Sequence, residues 1–171
     1  MACLMDQFFD KIYYINLDED VERNKSMLTQ FERFEIENYA RAPGVKMDYK
    51  EVNPMLYRNF IQDGPGGWNE KYINGSLGCR QAQLNIIDHA KRNGYKRILI
   101  LEDDCVFLID PNELIDRNIN YISEYYDFLY FGGIIEQHFR NQIVCAHAVS
   151  IGEGIMDDIL CMAETSGMEI D

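Results

Sequence analysis

The sequence predicts an α/β fold with a mostly parallel central sheet flanked by helices. Three observations carry that expectation. Short runs rich in β-branched and aromatic residues alternate along the chain with longer segments of helical periodicity. Arg97–Leu101 is almost continuously apolar, the mark of a strand buried on both faces. Strands separated by helices connect most simply as crossovers between parallel neighbours.

The elements follow in order. Lys11–Asn16 (Lys-Ile-Tyr-Tyr-Ile-Asn) predicts the first strand. Asp18-Glu19-Asp20 supplies acids for a helix start, and Val21, Asn24, Leu28 and Phe31 follow at near-helical spacing, with Met27 and Phe34 widening the face. Tyr39–Ala42 predicts a short strand closed by Pro43-Gly44. Residues 46–73 read as a loop-rich connection broken by Pro54 and Gly64-Pro65-Gly66-Gly67. Within it Met55, Leu56, Tyr57 and Phe60 suit a short helix, and the stretch around Trp68 suits a site cover or an ordinary connection. Ser76–Asn93 is the clearest helix, with Ser76 as N-cap. Cys79, Ala82, Ile86, Ile87 and Ala90 form its stripe, Lys91 and Arg92 lie in its last turn, and Gly94 closes it. After the Arg97–Leu101 strand come a strand at Asp127–Phe131 ending in Gly132-Gly133, another at Gln142–Ser150, and a last helix at Ile155–Met162.

Composition bounds the function. The 171 residues, 47% hydrophobic and 26% charged, suit a single globular domain over residues 1–171. Sixteen Lys and Arg against 29 Asp and Glu give a net charge of −13, which disfavours nucleic acid and a polybasic membrane contact. No apolar run reaches the ~20 residues of a membrane span, and Met1 to Phe9 lacks the pattern of a signal peptide. Five scattered cysteines without a C-x-x-C pair point to a reducing compartment, so a cytoplasmic location is expected.

Glu102-Asp103-Asp104 is the segment that carries chemistry. It sits where the apolar strand leaves the core, and ligands of open α/β sheets bind outside the carboxyl ends of strands. If the extended chain continues, residues 102 and 104 face one side and 103 the other. Paired carboxylates on one side suit Mg²⁺ or Mn²⁺, and a solvated acidic loop is the plainer alternative. Arg23 suits phosphate or a base, or an ion pair with Glu19 or Glu22. His89 reads as a boundary residue. His138, in a strand-end loop, suits either a substrate contact or an ordinary surface position. His147, inside a strand, reads as a packed residue, and Cys79 as a small buried one.

The chain resembles glycosyltransferase family 25. Gly75-Ser76-Leu77-Gly78-Cys79 opening a helix, followed by Arg97 to Phe107 with Glu102-Asp103-Asp104, is similar to the family's Gly-Glu-hydrophobic-Gly-Cys helix start and its strand ending in Glu-Asp-Asp. Tyr14-Ile15-Asn16-Leu17-Asp18 with Arg23 resembles its opening Ile-Asn-Leu-Asp and downstream Arg. Asp127 to Gly132 and Ala146 to Ser150 resemble two later strands, in the same order. The resemblance implies a GT-A-type nucleotide-sugar fold. It also implies metal-dependent transfer of a hexose, galactose or glucose, from a UDP-sugar to a glycan or protein hydroxyl, with inversion. It places Asn16, Leu17, Arg23 and Asp103 at the nucleotide and diphosphate, Glu102 and Asp104 on Mn²⁺ or Mg²⁺, and Asp171 as the base. Two departures accompany it. Ser76 replaces the family's Glu, and Ala82 and Gln83 replace a Ser-His pair. Family domains also continue past the equivalent of Glu169-Ile170-Asp171, which leaves three alternatives: a fragment missing its C-terminal segment, a shortened relative, or a domain that needs another chain. The alternative is a degenerate module that binds the UDP-sugar without transferring it. A receiver-like domain fits less well, because its acids would begin nearer the N-terminus.

Overall fold

A computed structural model describes residues 3–52, 70–122, 125–136 and 142–165, with backbone alone for 133–136, 142–146, 164 and 165. The strands are β1 (Lys11–Asn16), β2 (Tyr39–Pro43), β3 (Arg97–Glu102), β4 (Phe128–Glu136) and β5 (Gln142–Gly152). Among the described residues they form one five-stranded sheet in the order β2-β1-β3-β5-β4. β1 pairs in parallel with both β2 and β3. β5 is antiparallel to both β3 and β4. The α/β class stands, but the sheet is mixed, not mostly parallel. Chain length explains the difference. Only residues 137–141 separate β4 from β5, whereas a parallel return needs a crossover of about a dozen residues or more. The chain therefore doubles back, and β5 slots in between β3 and β4.

Alternation along the strands divides the core in two. Ile12 and Tyr14 of β1 share one face with Leu99 and Leu101 of β3. That face is covered by α1 (Leu4–Phe8), α2 (Val21–Arg33) and α4 (Pro111–Asn118) through Met5, Phe8, Met27, Phe31 and Ile115. Tyr13, Ile98 and Ile100 point the other way. They meet α3 (Glu70–Arg92) and α5 (Glu153–Thr165) through Leu84, Ile87, Met156 and Ile159. In α2 the buried stripe is Met27 and Phe31, while Val21 and Leu28 face outward.

Several boundaries move from their expected places. The long helix begins at Glu70, so Ser76 lies inside it and is no cap. Ile73 and Leu77 extend its buried stripe N-terminally, against Met47, Tyr49 and Val52. Its end is as expected. Gly94 takes a left-handed φ of 68°, and Tyr95 N–H donates to the Ala90 carbonyl. β4 runs through Gly132-Gly133 to Glu136, with register shifts around Gly132 that mark an irregular, bulged stretch. The last helix is longer than expected at both ends. α1 and α4 were not expected. α4 has readable signals: Asp110 caps it by accepting from Asn112 N–H, and Pro111 opens it. Of the 46–73 connection, a 3₁₀ turn at Tyr49–Glu51 is described. The expected helix at Met55–Phe60, the glycine cluster at 64–67 and Trp68 lie outside the described residues. Among the described residues no helix is long and apolar enough to cross a membrane.

Candidate functional site

From β1 the chain goes through α2 to β2 on one side, then returns through α3 to β3 on the other. Strand order therefore reverses between β1 and β3, which opens a crevice at their carboxyl ends. A cleft of about 250 Å³ lies there. Asn16, Leu17 and Arg23 line it from the β1 side, and Glu102, Asp103 and Asp104 from the β3 side. The cleft thus gathers every sequence-predicted site residue that the structure describes. Asp171 and His138 lie outside the described residues. Gly44, Val45, Gly75, Gly78 and Cys79 complete the wall. Gly78 is dictated by contact, because a Cβ there would come within 2.1 Å of the Val45 carbonyl oxygen. That approach holds α3 against the segment after β2. Leu17 packs under the same segment, where a Cβ on Gly44 would meet its Cδ2 at 2.8 Å.

Asp103 is tied to the protein through both of its oxygens. Oδ2 accepts from Asn16 Nδ2 at 2.7 Å, and Oδ1 from Arg23 Nη1 at 2.9 Å. Asn16 is buried and held in turn. Its Oδ1 accepts from Arg41 Nε at 3.0 Å, and Arg41 also bonds the Asn16 carbonyl and the Asp18 carboxylate. The described ion pairs of Arg23 are with Asp103 and Asp104, not with Glu19 or Glu22. Nη1 faces Asp103 and lies 3.7 Å from Asp104 Oδ2, and the Asp103 hydrogen bond pushes the Arg23 pKa above its ordinary value. The guanidinium is about half exposed, so the side turned to solvent is free to meet an anionic ligand.

Glu102 and Asp104 face the other way. The extended chain does not continue past Glu102: residues 103 and 104 form a turn, with Cys105 N–H donating to the Glu102 carbonyl at 3.1 Å, and this turn brings the Asp104 carboxylate round to the Glu102 side. Both carboxylates approach the same ring nitrogen. His147 Nδ1 lies 2.7 Å from Glu102 Oε2 and 3.2 Å from Asp104 Oδ1. The packed role expected for His147 is therefore wrong. Its side chain is 40% exposed and contacts two carboxylates of the cleft wall. The antiparallel direction of β5 explains the error. The last β3–β5 pair is Leu101–Ala148, so the next position on the reversed strand sets His147 beside Glu102. The only sequence signal available was that a strand read as apolar carried a histidine near a carboxylate-ended neighbour. Cys79 is half-buried, with Sγ 3.6 Å from Glu102 Oε1. Burial raises the Glu102 pKa, and the adjoining His147 opposes that rise. His89 sits away from the cleft, hydrogen-bonded to Tyr13 at 2.8 Å.

The arrangement concentrates negative charge at one point on the His147 side and cancels it on the Arg23 side. Asp103 is spent on internal bonds, which leaves Glu102 and Asp104 to act outward. Oxygen donors of this kind suit a hard divalent cation. The ligand atoms of Glu102, Asp104 and His147 lie within 4.8 Å of one another.

No protein-family model matches the chain. Among curated proteins, a glycosyltransferase 25 family member from Anopheles gambiae is 29% identical over 99 residues. The match covers 56% of this chain and 17% of that relative's length. It bears out the family resemblance carried by the motifs.

Proposed function

We propose that this chain binds a UDP-sugar with a divalent cation in the β1–β3 cleft and transfers a hexose, galactose or glucose, to an acceptor hydroxyl. The observation that carries the reading is the pair Glu102 and Asp104, set outward at the carboxyl end of β3 beside Asn16 and Arg23. The similarity to a glycosyltransferase 25 family member supports it, and a GT-A-type fold with inversion is part of the proposal.

The residues divide the work. Glu102 and Asp104 would hold Mn²⁺ or Mg²⁺. When bound, such a cation supplies positive charge against a departing diphosphate. Arg23 offers a guanidinium to phosphate from the opposite wall. Asn16 and Asp103 fix that wall, since each is locked by hydrogen bonds before any ligand arrives. Preset groups of this kind need little rearrangement on binding. Asp171 is the proposed base, carried over from the family resemblance.

A second reading has one specific support. Ala82 and Gln83, standing in place of the Ser-His pair, are both buried in α3. The described bond of the Gln83 amide runs to Cys79 Sγ. A module that retains the UDP-sugar without transferring it fits that substitution.

One pair of measurements tests both readings. Mn²⁺ and UDP together should raise the melting temperature by more than the sum of their separate effects, because each favours the other's site. Release of UDP from UDP-galactose or UDP-glucose then separates transferase from binding module. Stabilisation by UDP that is unchanged in excess chelator overturns the metal assignment. Absence of saturable UDP-sugar binding with Mn²⁺ present overturns the function.

A further inference from the structure

We infer that the acceptor carries its hydroxyl on an apolar body, and that a second cavity beside the donor cleft takes this neutral amphipathic alcohol in place of a free sugar. The inference rests on the donor reading above and deepens it by naming the acceptor class. The second cavity has a volume of about 460 Å³, and Asp104 lines both it and the cleft. That volume is in the range of sites that take whole small molecules. Buried Leu99, Leu101 and Ala148 make its floor. Val106, Leu108 and Ile109 make its rim, and they are 64%, 91% and 53% exposed. The exposed rim belongs to a loop that is held in place. Gln30 of α2 donates from Nε2 to the Cys105 carbonyl at 3.0 Å and accepts at Oε1 from Phe107 N–H at 2.7 Å. Phe107 packs with Phe31 and Phe34, while Val106 and Leu108 on either side of it stay exposed. Apolar side chains fixed in water at the mouth of a cavity mark a surface that gains by being covered.

Polarity fixes the class of occupant. Among the described lining residues the strongly polar side chains are Asp104 and His147, 3.2 Å apart. Cys105 acts as a small hydrophobe, and the other lining side chains are apolar. The polar groups therefore sit together, at the end that the cavity shares with the cleft. A free sugar carries hydroxyls all round and would leave several unpaired against apolar walls, which is costly. A peptide would bring backbone amides with the same difficulty. An anionic head group would meet Asp104 and a chain of net charge −13. A neutral alcohol with an alkyl body meets none of these penalties. Its hydroxyl lies at Asp104, on the side from which the donor is presented. In the transfer the alcohol oxygen bonds to the anomeric carbon, whose bond to the diphosphate oxygen breaks with its electron pair leaving on UDP. The hydroxyl proton is released to water, so the products are an alkyl hexoside, UDP and one proton.

The test titrates straight-chain alcohols into the unmodified chain by calorimetry. Butan-1-ol to octan-1-ol should bind saturably at one site, with affinity rising about three- to fourfold per methylene. Octanoate should bind about tenfold or more weaker than octan-1-ol, because its charge meets Asp104. Leu108→Asp should weaken octan-1-ol about tenfold or more, by placing a carboxylate on the rim, with the melting temperature unchanged. With Mn²⁺ present, octan-1-ol should raise UDP release from UDP-galactose or UDP-glucose above the rate with water alone. Saturable UDP binding without saturable alcohol binding overturns this inference and leaves the donor reading standing. Alcohols that bind without raising UDP release overturn the acceptor role. A dimer seen by sedimentation, broken by Leu108→Asp and blind to alcohols, assigns the rim to a second copy of the chain and also overturns it. Absence of UDP-sugar binding overturns the donor reading and the acceptor role together.

Discussion

The Asn16 side-chain amide donates to Asp103 Oδ2 across 2.7 Å, joining the end of β1 to the turn after β3. Asn16 is 2% exposed, and its other side-chain atom accepts from Arg41. Asn16→Ala therefore strands a largely buried carboxylate oxygen and an arginine N–H at once. Groups left unpaired in this way cost about 1–3 kcal/mol. The urea unfolding midpoint should fall accordingly, with the slope unchanged. Asn16→Asp should also lose stability, because it brings a second carboxylate against Asp103. A shift smaller than about 0.5 kcal/mol in Asn16→Ala would show that the bond does not hold the cleft.

Asp104 offers the opposite case. Its side chain is 43% exposed, and its neighbours are Arg23 at 3.7 Å and His147 at 3.2 Å. Asp104→Asn keeps the shape and removes one charge from a crowded acidic turn. Stability should stay within about 0.5 kcal/mol of wild type. Mn²⁺-dependent UDP binding, measured by calorimetry, should be lost. Retained affinity with the fold intact would remove Asp104 from the site.

Much of this was legible in the sequence because it depends on local periodicity. Asn16, Leu17 and Glu102 to Asp104 could be placed at strand ends, with Arg23 in the first turn of the next helix, and parallel neighbours bring such ends together. Alternation along a continued strand would have set Glu102 and Asp104 on one side, but it is the turn after Glu102 that brings them together. Strand direction was less legible. The wrong direction for β5 and the wrong role for His147 are one error, since only a reversed β5 carries His147 to Glu102. The start of α3 was misjudged for another reason. Gly75 and Ser76 look like a helix boundary, but buried Ile73 and Leu77 secure the turn through tertiary contact. Propensity is a weak prior against such packing.

Gly75 and Gly78 lie one turn apart on α3 and should respond with opposite signs. A Cβ at Gly75 meets nothing within 4 Å, so Gly75→Ala should stabilise the helix by up to about 1 kcal/mol. A Cβ at Gly78 would collide with the Val45 carbonyl at 2.1 Å, and backbone on both sides leaves no flexible atom to move. Gly78→Ala should cost about 1–3 kcal/mol through overpacking. It should also weaken UDP binding, since Val45 and Gly78 form one wall of the cleft. Thermal unfolding of the two variants checks the signs, and equal effects would contradict the close approach of α3 to Val45.

Tyr13 gives the chain a pH dependence on the alkaline side. The phenol is 5% exposed, hydrogen-bonded to His89 Nδ1 at 2.8 Å and T-stacked on that ring. Burial, with a smaller contribution from nearby Tyr95, pushes its pKa up to about 12, against an ordinary value of 10.0. The folded state thus holds the phenol proton more tightly than the unfolded chain does. The stability that Tyr13 contributes is complete below about pH 10 and is lost as pH rises through its folded value near 12. Tyr13→Phe removes the titrating group together with one hydrogen bond. Its stability at neutral pH should drop by about 1 kcal/mol, and the gap from wild type should then narrow as pH climbs above about 10. Tyr14 and Tyr126 are also raised by burial, but they titrate in both proteins, so the difference isolates Tyr13. Urea unfolding of both proteins across that range decides the matter: a gap that stays constant above pH 10 would mean that Tyr13 ionises no later in the folded protein than in the unfolded chain.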